Sequence, residues 1–268
     1  MTLTTSALAA CCAGLYGHPL VELIAGQSLH PGGLATTRRL LAEVRLPPGA
    51  HLLDAGCGLG ASARVGALEF GLAVDACDVS ASALHRAAVL AEGVGARICF
   101  RDASVVDLPY PSGAFAAVLA ECVLSTTSKR DGLAELRRVA EDGGALLLSD
   151  VTVSETVTIP EPLASVLCLT GAWRPGELDK LLPSAGYRVV RGWDESEGVS
   201  SLIDRLEARV GLLGAIARVA GHAERLEAFG VKLDQLREPG SVTAVFEGIR
   251  QLVDERRIGY RAVVARAV

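Results

Sequence analysis

Aromatic residues are scarce in this chain: two Trp, four Tyr and five Phe among 268 residues, with a single Met. Half of the residues are nevertheless hydrophobic, so the core is built from Ala, Val and Leu, a composition that suits helices packed on a parallel sheet. An excess of positive charge is also lacking. The formal net charge of −5 argues against nucleic acid or an anionic membrane as a bulk partner. No apolar run is long enough to cross a bilayer. The short apolar stretch Leu8 to Cys12 has no Lys or Arg before it and so does not read as a signal peptide. Seven cysteines occur, but none in a CxxC pair. The odd count and the chain length argue against a secreted disulfide scaffold, and the missing CxxC argues against an ordinary zinc site, so no metal is expected. Together these absences describe a cytoplasmic, reduced protein of one α/β domain, with or without a helical addition.

What is present is a regular alternation. Leu34 to Val44 reads as a helix, opened by Pro31-Gly32-Gly33 and closed before Pro47-Pro48. Strands are then expected at 51–55, 72–78, 97–101, 115–121 and 144–151, with helices at 60–70, 80–92 and 129–140 between them. Further helices are expected at 161–170 and 177–185, and a strand at 187–193. Residues 199–257 are helical and charged, broken near Gly221, Gly230 and Pro239-Gly240. A last strand, 259–265, can pair with 187–193. The expected fold is therefore α/β: a doubly wound, mostly parallel, seven-stranded sheet with a helical insertion before the last strand. In domain terms residues 1–268 form one unit, with N-terminal cover helices over 1–45, a core over 50–195, the insertion over 196–257 and the final strand over 258–268.

The turn Asp54-Ala55-Gly56-Cys57-Gly58-Leu59-Gly60 joins the first strand to its helix. Its glycines allow a tight turn and a close approach of backbone to ligand, at the strand ends where open α/β sheets bind ligands. Taken alone it is compatible with any nucleotide-like ligand, or with a merely tight turn. Three details narrow it. The spacing is GxGxG behind an acid, not the phosphate-binding GxGxxG, and Asp54 suits a ligand carrying an ammonium and a sulfonium, as S-adenosyl-L-methionine does. Asp78 ends the second strand, where an acid can accept both ribose hydroxyls. Asp102 follows the third strand, placed to accept from an adenine amino group, with the Ala103 N–H placed to donate to the ring.

As a set, these residues resemble the class I S-adenosylmethionine-dependent methyltransferases over about residues 50–151. The resemblance implies a Rossmann-like methyltransferase in which Asp54, Gly56, Gly58, Gly60, Asp78, Val79, Asp102 and Ala103 line the cofactor. It also implies that Glu121, ending the fourth strand, faces the methionine part. Tyr16 and Gly33 fall where many members of that family lay an N-terminal cover over the cofactor, although Pro31-Gly32-Gly33 is equally well read as a helix start.

The cysteines divide into two groups. Cys57 is a small residue tolerated inside the glycine turn, and Cys77 and Cys99 read as small buried hydrophobes in strands. Cys122 directly follows Glu121, and Cys168 lies in a segment able to fold over the same pocket. Glu121-Cys122-Val123-Leu124-Ser125, Leu148-Ser149-Asp150-Val151 and Cys168-Leu169-Thr170-Gly171-Ala172-Trp173 resemble matching segments of arsenite methyltransferases. That resemblance implies that Cys122 and Cys168 hold trivalent arsenic, a soft centre suited to thiolates. The chain departs from that family in having Ala120-Glu121 where the family has Ser-Asn, in having no local motif that places Cys11 or Cys12 as the family's more N-terminal cysteine, and in residues 199–257, which are helical and not recognisable as the family's C-terminal domain. The acceptor is thus a small molecule, with arsenite the leading reading. A second reading is an O-, N- or C-methyltransferase for a small organic acceptor, with the helices of 199–257 as a lid and His18 or His30 as general base. A third is a non-catalytic cofactor-binding module in which Ile203 to Ala217 is an interaction face or ordinary core packing.

Overall fold

The computed structural model describes residues 28, 30–154, 168–220 and 239–268. Tyr16, Cys11, Cys12 and His18 lie outside the described residues, as does most of the helix expected at 161–170.

The first described helix, α1 (Gly33–Val44), buries Thr36, Thr37, Leu40, Leu41 and Val44, the three-and-four spacing of a one-sided apolar stripe. It stops at Arg45, which takes the left-handed conformation, just ahead of two prolines that cannot continue a helix. There follow β1 (His51–Ala55), α2 (Ala61–Glu69), β2 (Ala73–Asp78), α3 (Ala81–Glu92), β3 (Ile98–Asp102) and β4 (Phe115–Glu121). A single 3-10 turn (Leu124–Thr126) leads to α4 (Lys129–Val139) and β5 (Ala140–Val153). The remainder is α5 (Glu177–Ser184), β6 (Tyr187–Asp194), α6 (Glu197–Ala220), α7 (Pro239–Asp254) and β7 (Ile258–Ala267).

The strands form one seven-stranded sheet in the order β3-β2-β1-β4-β5-β7-β6. β1 to β5 pair in parallel, and β7 runs antiparallel to both its neighbours, β5 and β6. This is the expected doubly wound sheet, and α6 and α7 are the expected insertion ahead of the last strand. The chain order runs outward from β1 in one direction and from β4 in the other. The carboxyl ends of β1 and β4 therefore flank the topological switch point, where such sheets open a crevice for ligands.

Both faces of the sheet are covered, and this explains why the central strands are continuously apolar. Leu53, Ala55, Val118, Ala120, Leu146 and Leu148 meet Leu133 and Leu136 of α4 and Leu182 of α5. Their neighbours Leu52, Leu119, Ala145 and Leu147 meet Leu40 and Leu41 of α1 and Val65 of α2. Alternate residues thus serve opposite faces, and each fully buried Leu contributes about 1.5–3 kcal/mol. A third cluster joins Val199, Leu202, Ile203 and Leu206 of α6 to Phe246, Ile249 and Val253 of α7. It sits on Val151, Val153, Ile258 and Tyr260, with Cys168 and Ala172 at its margin. Ile203 is accordingly core, and the insertion is anchored beside one of the two candidate cysteines.

Two expectations are corrected. β5 begins at Ala140, directly after α4, rather than at Gly144, because a register shift between Phe115 and Ala117 lets Ala140 pair before the main ladder starts. Cys99 is exposed rather than buried, since β3 is the edge strand and turns that side chain away from the core.

Candidate active site

The glycine turn folds over the end of β2: the N–H groups of Gly56 and Cys57 both donate to the Cys77 carbonyl, at 2.8 and 2.9 Å. A Cβ at Gly56 would meet Val123 Cγ2 at 2.4 Å, and the residue has φ +76. Gly58, with φ +51, faces open space, and its N–H donates to Asp78 Oδ2 at 2.9 Å. The second oxygen of Asp78 accepts from the Ser80 N–H at 2.9 Å, so the carboxylate at the end of β2 is held rigidly. Burial raises its pKa, opposed by these backbone N–H groups.

Over this turn lies a cavity of about 1050 Å³, its open mouth included. Asp54 lines its floor, only 3% exposed. Its Oδ2 has no hydrogen-bond partner. Desolvation, then the nearby charge of Glu121, push the Asp54 pKa from 3.8 up to about 8, against the Ala63 N–H that favours the charged form. Glu121 is better supplied. Its Oε2 accepts from Thr37 at 2.9 Å and from Ser62 at 2.6 Å, and its Oε1 accepts from Ser149 at 3.2 Å. His30 Nε2 lies 3.4 Å from the same carboxylate, yet both ring nitrogens of this buried histidine lack an aligned hydrogen-bond partner.

Two cysteines line the same cavity. Cys122 and Cys168 both have φ +55, a left-handed backbone that is uncommon for residues with a side chain. The Cys122 N–H donates to the Ser149 carbonyl at 2.8 Å, and its thiol donates to the Tyr260 hydroxyl at 3.8 Å. Burial pushes the Cys122 thiol well above its ordinary value, and the neighbouring Cys168 raises it further. The two loops are brought together by Asp150 and Gly171. Asp150 Oδ2 accepts from the Ser125 N–H at 2.9 Å and from Trp173 Nε1 at 3.2 Å, tying both segments to β5. A Cβ at Gly171 would stand 1.9 Å from the Ser125 carbonyl oxygen, so only glycine lets the loop after Cys168 lie against the loop after Cys122.

Of the residues singled out from the sequence, Asp54, Gly56, Gly58, Asp78, Val79, Ala103, Glu121, Cys122 and Cys168 line this one cavity. Gly60 does not line it; with φ +68 it caps α2. Gly33 opens α1 and is not among the lining residues. Asp102 is exposed and outside the lining, because it ends the edge strand. The Ala103 N–H, expected to donate to a ring, already donates to the Asp78 carbonyl at 3.1 Å. Thr37, Ser62, Ser149 and Tyr260 were not foreseen. Ser149 could have been found, since parallel pairing sets it opposite Glu121; Tyr260, on the last strand, carries no local signal.

The comparisons with known proteins agree with this fold. Residues 52–144 match the methyltransferase domain family. The chain is 28% identical over 210 residues to the O-methyltransferase resE of Aspergillus sclerotiorum, covering 76% of this chain and 78% of that one. In fold it is similar to phosphoethanolamine N-methyltransferase 2 of Haemonchus contortus, solved with S-adenosyl-L-methionine. That match has a TM-score of 0.70 and 17% identity, and covers 96% of this chain and 57% of that one. It is similar as well to the [4+2]-cyclase SpnF, with a TM-score of 0.67 and 22% identity over 87% of this chain and 80% of the other. The fold and the domain match define a class I, Rossmann-like methyltransferase. With the match over residues 52–144 and the O-methyltransferase relative, the chain is an S-adenosylmethionine-dependent methyltransferase. No helix among the described residues is long and apolar enough to cross a membrane.

Proposed function

We propose that Asp54, Gly56, Gly58, Asp78, Val79 and Ala103 hold the cofactor, and that Cys122 and Cys168 hold a thiophilic acceptor, trivalent arsenic, in the same cavity. The cofactor's chemistry fits the donor set. Asp54 Oδ2, buried and without a partner, suits an ammonium group. Asp78, with both oxygens fixed by backbone N–H groups, keeps lone pairs for ribose hydroxyls. The open space before Gly58 lets a ligand approach the backbone. When bound, S-adenosylmethionine supplies an electrophilic methyl group.

The observation that carries the acceptor reading is the convergence of two cysteines from separate loops, both left-handed, on the lining of one cavity, near enough that Cys168 raises the Cys122 pKa. Each thiol exchanges with a hydroxide of arsenous acid: an As–S bond forms, an As–O bond breaks, and the thiol proton leaves with the hydroxide as water. The arsenic keeps its lone pair as the nucleophile, so no general base is required, and the chain contributes positioning and exclusion of water. The test is transfer of labelled methyl to arsenite in the presence of excess thiol. Loss of that transfer in both Cys122→Ser and Cys168→Ser supports the reading, and unchanged turnover in either sinks it.

A second reading is favoured by His30. It is buried in the same cavity with both ring nitrogens free of aligned partners and stands beside Glu121, where it could take a proton from an organic O- or N-nucleophile. The O-methyltransferase among the relatives points the same way. Methylation of an organic acceptor that His30→Ala abolishes, and that both cysteine variants retain, would select this reading.

A further inference from the structure

We propose that Tyr260 is a positioning residue of the acceptor site: its hydroxyl orients the Cys122 thiol and links it through Ser149 to Glu121. The proposal rests on the reading that Cys122 meets the acceptor.

Tyr260 stands on β7, far along the chain from the matched methyltransferase segment 52–144, and is 1% exposed. Sheet register brings it to the site. Glu121 pairs with Ser149 across β4 and β5, while Ser149 pairs with Ala262 and Val151 with Tyr260 across β5 and β7. Tyr260 is therefore the diagonal neighbour of Ser149 on the same face, within reach of an aromatic side chain.

The directions of the hydrogen bonds decide what this row does. A phenol has one proton and two acceptor positions. The Tyr260 proton goes to Ser149 Oγ at 2.8 Å, and the Ser149 proton goes to Glu121 Oε1 at 3.2 Å. With both hydroxyl protons committed, a lone pair of Tyr260 is what faces Cys122, and the thiol donates to it at 3.8 Å. The S–H is thereby turned toward β7, leaving the sulfur lone pairs for the cavity. Once the thiol loses its proton, the Tyr260 hydroxyl can rotate and donate to the thiolate, favouring it. The charged or titratable groups facing Cys122 are Cys168 and Asp150, both of which disfavour the thiolate, with Tyr260 as the group that favours it. Tyr260 itself stays protonated, because burial and then the charges of Cys122 and Glu121 raise it well above a free phenol. It is thus a donor and an orienting group rather than a base.

The experiment is alkylation of Cys122 in the full-length protein by iodoacetamide between pH 7 and 10, with the Cys122 peptide followed by mass spectrometry. Tyr260→Phe keeps the ring and is expected to slow alkylation about fivefold, the effect of one lost hydrogen bond, and to move the half-point upward. Ser149→Ala removes the acceptor that holds the Tyr260 proton, frees the hydroxyl for the sulfur, and is expected to speed alkylation. A merely structural role for Tyr260 would not give opposite signs. The proposal is overturned if the two variants move the profile in the same direction, or if neither moves it. Should Tyr260→Phe fail to fold, Ser149→Ala decides alone: faster alkylation supports the link, and an unchanged or slower rate overturns it. In the methyl-transfer assay Tyr260→Phe is expected to raise the KM for arsenite more than it lowers kcat, and an unchanged KM overturns its part in the reaction. If the wild-type protein transfers nothing to arsenite, the acceptor reading fails while the alkylation profiles still decide the Tyr260–Cys122 link.

Discussion

Replacing Asp54 by Asn should make the cofactor-free protein more stable and the cofactor complex weaker. Asp54 is 3% exposed with one oxygen unpartnered, and its pKa is raised from 3.8 to about 8, first by desolvation and then by Glu121. The folded state therefore holds a proton that the unfolded chain has released. Below about pH 4 both states are protonated and the group takes nothing from stability. As pH rises from there to about 8, stability falls, and above about 8 the loss is complete. At about 1.4 kcal/mol per pH unit the loss has an upper bound on the order of 6 kcal/mol, of which relaxation and water entry leave a few kcal/mol. Asn carries no charge to desolvate. Urea denaturation of the two proteins without cofactor should give similar stabilities near pH 4 and a gap of about 2–4 kcal/mol in favour of Asp54→Asn near pH 8.5. With saturating S-adenosylhomocysteine the order should narrow or reverse, because the ligand's ammonium then offsets the carboxylate. Parallel stability–pH profiles for the two proteins would refute the reasoning, and an undiminished ligand-induced shift in Asp54→Asn would separate Asp54 from cofactor binding.

Three further outcomes are expected. Gly56→Ala must hold φ +76 and displace Val123 from 2.4 Å, so it should lose about 2–4 kcal/mol by denaturant titration. Gly58→Ala meets nothing but open space; it should lose only about 1 kcal/mol yet abolish the thermal shift with S-adenosylhomocysteine, and a retained shift would place the ligand elsewhere. Asp150→Ala strands the Ser125 N–H and the Trp173 indole N–H. It should cost about 2–4 kcal/mol and separate the cysteine loops, measured as weakened capture of the dithiol reagent phenylarsine oxide; undiminished capture would show that other contacts hold the loops.

Much of the architecture is legible in the chain. The strands β1 and β4 were bounded correctly, because each is a short apolar run stopped by a charged residue and a turn, and both are buried on two faces. The glycine turn was legible for a different reason: three left-handed positions in five residues admit almost nothing else. Asp54, Asp78 and Glu121 could be placed because a parallel sheet puts every strand end on one side. Boundaries failed where a neighbour, not the local sequence, decided them. Ala140 enters β5 only because β4 offers a bulged partner, and Cys99 is exposed only because β3 has nothing beyond it.

The polar content of the site divides along the same line. Periodicity, turn chemistry and strand-end acids are local properties, and they determined the sheet and the glycine turn with its acids at the strand ends, while the pair of cysteines was singled out by resemblance. Tertiary structure alone decided that Asp102 lies outside the cavity, that Thr37 and Ser62 serve Glu121, and that Asp150 and Gly171 draw Cys168 against Cys122. It also decided that Tyr260, from the last strand of the chain, reaches Cys122. Those contacts depend on strand register and on the approach of loops distant in sequence, and no window of neighbouring residues contains either.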